Sequence, residues 1–149
     1  MKKTYLDVAE AAGAAFFSKP IQGPIVMLNL LRFRAIANYA NHPALQPAEP
    51  ISGKDAYDRY MEATMPFLRK RGGEVLFIGK GNSFLIGPED ETWDCAILVK
   101  QNSLAEFLSF ATDPEYLKIL GHREAALEDS RLLPLEEHPF KRFQSQREA

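Results

Sequence analysis

The stretch from Ile25 to Arg34, I-V-M-L-N-L-L-R-F-R, constrains this chain more than any other. A strand with one face in water alternates apolar and polar residues. Here the apolar residues fill both faces, so the strand needs cover on two sides. Asn29 interrupts the run, and Arg32 and Arg34 close it. An amide in a doubly covered strand must find partners or it costs about 1–3 kcal/mol.

The rest of the chain reads as a small set of elements around that strand. Asp7 to Ser18 is Ala-rich, with Val8, Ala11, Ala12, Ala15 and Phe16 on one arc, and reads as a helix stopped by Lys19-Pro20. From Ala35 to Gly53 periodicity fails, and Pro43, Pro47 and Pro50 predict a long loop with a helical turn near Ile36–Ala40. Loops of this length are often lids or binding segments. Ser52 predicts a helix cap, with Asp55 three residues on. Tyr57, Tyr60, Met61, Thr64, Phe67, Leu68 and Arg71 then share one arc, with Pro66 opposite, until Gly72-Gly73 ends the helix. Glu74 to Gly79 is the second strand, with Phe84 to Gly87 as an extension of it. Trp93 to Val99 is the third strand, again apolar on both faces. Ser103 and Glu106 form a capping box, and Asp113-Pro114 restarts a helix that runs to about Leu127. Asp129 to Leu135 is the fourth strand, placed at an edge because Pro134 cannot donate to a ladder.

After the first helix the order is strand, helix, strand, strand, helix, strand. This is the split β-α-β ferredoxin-like arrangement of an α+β domain. Its helices cover one face of the sheet and leave the other bare. A second copy of the sheet is the simplest cover for the bare face, which predicts a homodimer. Residues 1–23 are a helical extension, 24–137 the domain, and 138–149 a polar tail.

Bulk properties exclude several function classes. A formal charge of −2 gives no electrostatic footprint for nucleic acid. No apolar run approaches the ~20 residues that span a bilayer. Cys95 is the single cysteine, so no intrachain disulfide forms and a cytoplasmic setting is expected. There is no G-x-G-x-x-G, P-loop, H-E-x-x-H or C-x-x-C pattern, and no Gly-x-Ser-x-Gly elbow. Three scattered histidines and one cysteine do not make a zinc site. No cofactor and no metal are expected.

The strand I-V-M-L-N-L-L-R-F, the helix start I-S-G-K-D-A-Y-D-R-Y, P-F-L-R-K-R-G-G-E-V-L-F, F-L-I-G-P-E-D-E-T-W-D, D-P-E-Y and H-R-E-A-A-L-E-D-S-R-L occur in that order. The ordered set resembles the uncharacterised domain-of-unknown-function family numbered 1330, within the dimeric α/β-barrel superfamily, over roughly residues 24–135. The resemblance implies two ferredoxin-like protomers whose sheets face each other in a barrel. The superfamily includes cofactor-free monooxygenases, muconolactone-isomerase-like enzymes, haem proteins and members without known activity, so the fold does not fix the function. The first helix and the 35–53 loop look like additions to the smallest form of the family.

Each candidate site residue carries a functional and a structural reading. Asn29, on the face of Met27, Leu31 and Phe33, would orient a substrate oxygen or bond to backbone at a bulge. Arg32 and Arg34, on the opposite face, would bind a carboxylate or pair with acids at the barrel mouth. Tyr116, Leu120 and Leu127 mark the inward direction of the last helix, which places Arg123 inside and His122 outside. Arg123 would then need a partner, either Asp129 or an anionic ligand. His122 would be a base, or a surface or capping side chain; its outward position argues against a haem ligand. Asp129 and Ser130 point to opposite faces of a regular strand, with Asp129 beside Arg131, Leu133 and Leu135. Tyr57 and Tyr60 pack inward with hydroxyls near the rim. Glu74 and Trp93 open their strands as packing or pairing residues, and Cys95 is a small core residue.

Together these readings give a pocket between sheet and helices for a polar-tipped organic molecule. An enzyme there would perform cofactor-free oxygenation, isomerisation or proton transfer. Asn29 would orient an oxygen, Arg123 would stabilise negative charge, and His122 or Asp129 would move a proton. Arg32, Tyr57, Tyr60 and Ser130 would bind substrate. The alternative is a non-catalytic binding or assembly protein, recognised by a closed Arg123–Asp129 pair.

Overall fold

The computed structural model describes residues 3–137. Its elements are α1 (Glu10–Phe17), β1 (Ile25–Phe33), a 3-10 turn (Pro43–Leu45), α2 (Gly53–Lys70), β2 (Glu74–Lys80), β3 (Cys95–Gln101), α3 (Leu104–Ala111), α4 (Pro114–Ile119), α5 (Gly121–Ala126) and β4 (Leu127–Glu136). The polar tail expected from residue 138 onward lies outside the described residues. The four strands form one sheet in the order β2-β3-β1-β4, with every neighbouring pair antiparallel. This is the ferredoxin-like topology, and β4 with its Pro134 is the edge strand the sequence requires.

Helix starts follow the caps written in the sequence. The Ser52 hydroxyl accepts from the Asp55 amide, Ser103 from Glu106, and Asp113 from Glu115. Pro66 sits on the exposed side of α2, while Tyr57, Tyr60, Thr64 and Leu68 are buried. Gly72 adopts φ +77°, a conformation that only glycine takes freely, and turns the chain out of the helix.

One face of the sheet supplies the core. Leu31 and Ile97, with Phe33, Val75, Cys95 and Val99 beside them, pack on Tyr57, Tyr60 and Leu68 of α2 and on Phe110, Tyr116 and Ala125. The opposite face carries Val26, Leu28 and Leu30 of β1, Ala96 and Leu98 of β3, and Leu133 and Leu135 of β4, aligned in register. Phe77 joins them from β2, which bulges between Val75 and Phe77. Phe77 is 58% exposed and Leu133 54%. The double-sided apolar pattern of β1 therefore has cover on one side only within the protomer.

Several sequence expectations shift. The first helix is shorter than Asp7–Ser18: it begins after Ala9, and Val8 is exposed. It rests on α3 through Phe16 and Phe17 against Phe107. The turn inside the 35–53 loop falls at Pro43–Leu45 rather than Ile36–Ala40, because Pro43 sets the φ of its first residue. The helix expected to run from Pro114 to Leu127 breaks into α4 and α5 at Leu120-Gly121, where the His42 ring packs against Gly121 too closely for a Cβ. Trp93 lies before β3 rather than in it, and the Asp94 carboxylate beside it accepts from the Phe33 amide at 2.8 Å. Phe84 to Gly87 is not a strand extension; the single bridge there joins Ser83 to Thr92.

Candidate functional site

The structure distributes the predicted residues over three places. The first is the outer face of the sheet, where β1 ends and β4 begins. Register pairs Arg32 with Asp129 and Leu30 with Arg131, so all three polar side chains share that face. Asp129 is buried. Its Oδ1 accepts from the amides of Tyr5 and Ser130, both at 2.8 Å, and from Arg131 at 2.7 Å. Its Oδ2 accepts from Arg32 at 3.1 Å. Burial alone would raise this carboxyl, but the Tyr5 amide, Arg131 and the Ser130 amide outweigh it and leave the pKa below the usual carboxylate value. The two guanidiniums lie over the ring of Trp93, with Arg32 at 5.3 Å and Arg131 at 5.0 Å from the centroid. Arg131 also lies 4.8 Å from the Tyr5 ring. Lys3, Tyr5, Arg32, Glu91, Asp129 and Arg131 line a cleft of about 310 Å³.

The second place is the helix side of the sheet. Arg123 points inward, as the helical wheel requires, but it does not meet Asp129, which faces the other way. Its guanidinium donates to the Leu6 carbonyl at 2.6 Å and to the Ser130 hydroxyl at 3.3 Å, and the Tyr57 hydroxyl lies beside it. No ion pair of Arg123 occurs among the described residues. The expected Arg123–Asp129 pair is replaced because the N-terminal segment runs alongside β4: Ser130 donates to the Tyr5 carbonyl at 2.6 Å and holds that segment in place. Tyr57 and Tyr60 pack inward as expected, with their hydroxyls in the core beside Arg123 and Tyr116 rather than near the rim. The Tyr60 and Tyr116 hydroxyls meet at 2.6 Å, and burial raises the Tyr57 and Tyr116 pKa values far above the ordinary phenol value. Asn29 stands on this face, half-buried, with its amide 3.4 Å from the carbonyls of Met27 and Ile97. The strand is regular at Asn29; the β1–β4 irregularity lies at Arg32/Phe33.

The third place is where the 35–53 loop meets α5. His122 is half-buried, and its Nδ1 lies 2.7 Å from the Tyr39 hydroxyl. Desolvation, then Arg59 and His42, hold its pKa below the usual imidazole value. His42 Nε2 meets the Glu124 carboxylate at 2.5 Å, which lowers the Glu124 pKa. The loop is further tied down by the Asn38 backbone N–H, which donates to the Ala125 carbonyl at 2.9 Å. Asp7, His42, Arg123 and Glu124 border a small cavity of about 100 Å³. His122 is thus neither a free surface residue nor a helix cap.

Sequence reasoning passed over Arg131, Trp93 and Tyr5 as site residues. The register of Arg131 with Asp129 was available from strand alternation alone; the aromatic floor was not. Tyr39 and His42 had no sequence signal beyond lying in a long loop. Cys95 is half-buried, and burial pushes its thiol pKa up, as suits an inert core residue. No group of three or more metal-ligating side chains occurs among the described residues. No helix among them is long and apolar enough to cross a membrane.

The class is therefore an α+β domain with the ferredoxin-like fold, carrying an arginine-lined cleft on the open face of its sheet. The chain matches the domain of unknown function DUF1330 over residues 48–135, so β1 precedes the matched stretch. It is 35% identical to the RPA0582 protein of unknown function from Rhodopseudomonas palustris, with a TM-score of 0.80 over 91% of this chain and 98% of that one. The structure of methylated RPA0582 gives 34% identity and a TM-score of 0.81 over 93% and 98% of the two chains. This protein belongs to the DUF1330 family. A dimeric ferredoxin-like protein of unknown function from Thermobifida fusca is 13% identical, with a TM-score of 0.44 over 77% of this chain and 92% of that one. No curated protein matches.

Proposed function

We propose that this protein is a cytoplasmic homodimer that binds a small organic anion in the cleft formed by Arg32, Arg131 and Asp129. The observation that carries the reading is the pair of guanidiniums, Arg32 and Arg131, held together over the Trp93 ring in one cleft. Lys3, Arg32 and Arg131 face it together with Asp129 and Glu91, and Glu128 stands 3.9 Å from Arg32. The Asp129 carboxylate already serves four donors, and the Glu91 carboxylate accepts from the Trp93 indole at 2.8 Å. Both guanidiniums are laid on aromatic faces, beside a volume at the lower end of the range for small-molecule sites. A planar carboxylate is the matching chemistry, since guanidinium forks bind it bidentately. Asp129 positions the guanidiniums here. Its ionised form is stabilised by its donors, which makes it a weak base.

Binding can be tested with benzoate as probe. Trp93 is the sole tryptophan and lies under both guanidiniums, so its emission reports occupancy. Saturable quenching that disappears in Arg131→Ala supports the reading. Unchanged emission with benzoate and with a panel of aliphatic carboxylates contradicts it.

A catalytic reading draws on a separate observation, the Tyr39–His122 pair. A His kept neutral by desolvation and bonded to a phenol at Nδ1 suits proton transfer. In that reading His122 moves the proton and Arg123, which borders the adjoining cavity, holds the substrate oxygen, while Asn29, Tyr57, Tyr60 and Ser130 stand apart from that cavity in structural roles. Loss of turnover of a bound keto acid in His122→Asn, with binding intact, is the result that would favour it.

A further inference from the structure

The segment between β2 and β3 forms an arm tied at its base by Arg32, which donates to the Thr92 carbonyl at 3.3 Å, while its apolar tip stands exposed. Leu85 is 100% exposed and Ile86 93%, with Phe84 at 40%. Three consecutive large apolar residues in water are costly for a monomer and mark an interaction surface. The arm is nonetheless built. Ser83 bridges Thr92, the Trp93 amide donates to the Asn82 carbonyl at 3.0 Å, and the Gly81 amide donates to the Asp94 carbonyl at 3.0 Å. The Phe84 ring packs against Gly87, where a Cβ would stand 2.8 Å from it. This fixes the turn and leaves Leu85 and Ile86 pointing away from the protomer. A preordered apolar tip loses little entropy when it docks.

We infer that this arm, residues 81–92, docks on a second copy of the same chain through Leu85 and Ile86. The inference deepens the homodimer reading above and rests on it. Continuity with the open sheet face is the first argument. The Phe77 ring folds over Gly79 on that face and carries the apolar band from Leu98 and Leu28 to the base of the arm at Gly81. Charge is the second. Glu89 follows the tip directly, whereas the open face of a second copy offers Lys100. An anionic lipid surface would repel the same turn. The base of the arm supplies Glu91 to the cleft, and Trp93 just beyond it lies under both guanidiniums, so docking couples assembly to the anion site.

The test is sedimentation velocity of the full chain over a dilution series, with Trp93 emission read in parallel. The wild type is expected to be a dimer. Leu85→Asp/Ile86→Asp is expected to weaken the dimer by about a hundredfold or more. Its circular dichroism should be unchanged, and its Trp93 emission should match that of the diluted wild type. The milder Leu85→Ser/Ile86→Ser pair should move both readouts in the same direction if the acidic pair disturbs folding. Wild-type dimer affinity in both folded variants overturns the role of the arm and leaves the dimer standing. A wild type that stays monomeric removes the dimer itself. Flotation of the wild type with phosphatidylcholine vesicles, lost in the serine variant, would instead assign the tip to a lipid surface and overturn the inference.

Discussion

Replacing Asp129 by Ala should destabilise the protein by about 3 kcal/mol. The carboxylate satisfies two guanidiniums and two backbone amides, and the Ser130 amide is buried. Removing one partner of a buried ion pair costs about 3–5 kcal/mol, because the remaining charge is stranded. The side chains of Arg32 and Arg131 keep 22% and 37% of their exposure, so water relieves part of that penalty and the lower end applies. With a urea m-value of about 2 kcal/mol/M, the unfolding midpoint falls by about 1.5 M. Trp93 fluorescence is the natural probe, and emission of the folded variant should shift as the guanidiniums leave the ring. Asp129→Asn, which keeps an acceptor without the charge, should fall between wild type and Ala. The sign with pH follows from the lowered carboxyl pKa. Its stabilisation is present above the unfolded value near pH 4 and is lost as pH falls through the folded value, so the gap between wild type and Asn variant narrows on acidification. An Ala variant that unfolds at the wild-type midpoint, with unshifted Trp93 emission, would refute the reasoning.

Gly53→Ala should prevent normal folding or lower the melting temperature by more than ten degrees, about 3 kcal/mol or more for a domain of this size. A Cβ there runs into the carbonyls of Arg34 and Ala126, the latter at 2.5 Å, and neither backbone can yield without breaking the start of α2. A wild-type melt in that variant would contradict the packing described. His122 titrates lower in the folded protein than in the unfolded chain, where its pKa is about 6.5. The unfolded state therefore binds more protons in that window, and stability should fall as pH drops from about 6.5 toward the folded value. Urea midpoints at pH 5.5 and 7.5 should differ more for wild type than for His122→Phe; equal differences would show that His122 is not held neutral.

The parts of this fold that were legible in the sequence are those set by local chemistry. The run from Ile25 announced a doubly apolar strand, Ser52, Ser103 and Asp113 announced their helices, and Pro134 placed β4 at the edge. The parts that were not legible depend on residues distant in the chain. The break at Gly121 exists because His42, from the loop after β1, packs there. Arg123 was correctly turned inward by helical geometry, yet its partner is the Leu6 carbonyl, 117 residues away. Strand alternation separated Asp129 from Ser130 and grouped Asp129 with Arg131, which is the skeleton of the cleft. Trp93 and Tyr5, which give that cleft its floor, carried no periodic signal. Leu85 and Ile86 read as strand because apolar runs are ambiguous between a buried strand and an exposed tip.

The central claim is that the bare face of the sheet is covered by a second copy. Sedimentation equilibrium of the wild type and of Leu133→Asp at micromolar concentration tests it most directly. Leu133 is 54% exposed on that face, so the substitution should leave the protomer folded. The account predicts a wild-type mass twice that of the 16.8 kDa chain and a monomeric Leu133→Asp variant. A monomeric wild type, or a dimer indifferent to Leu133→Asp, would contradict it.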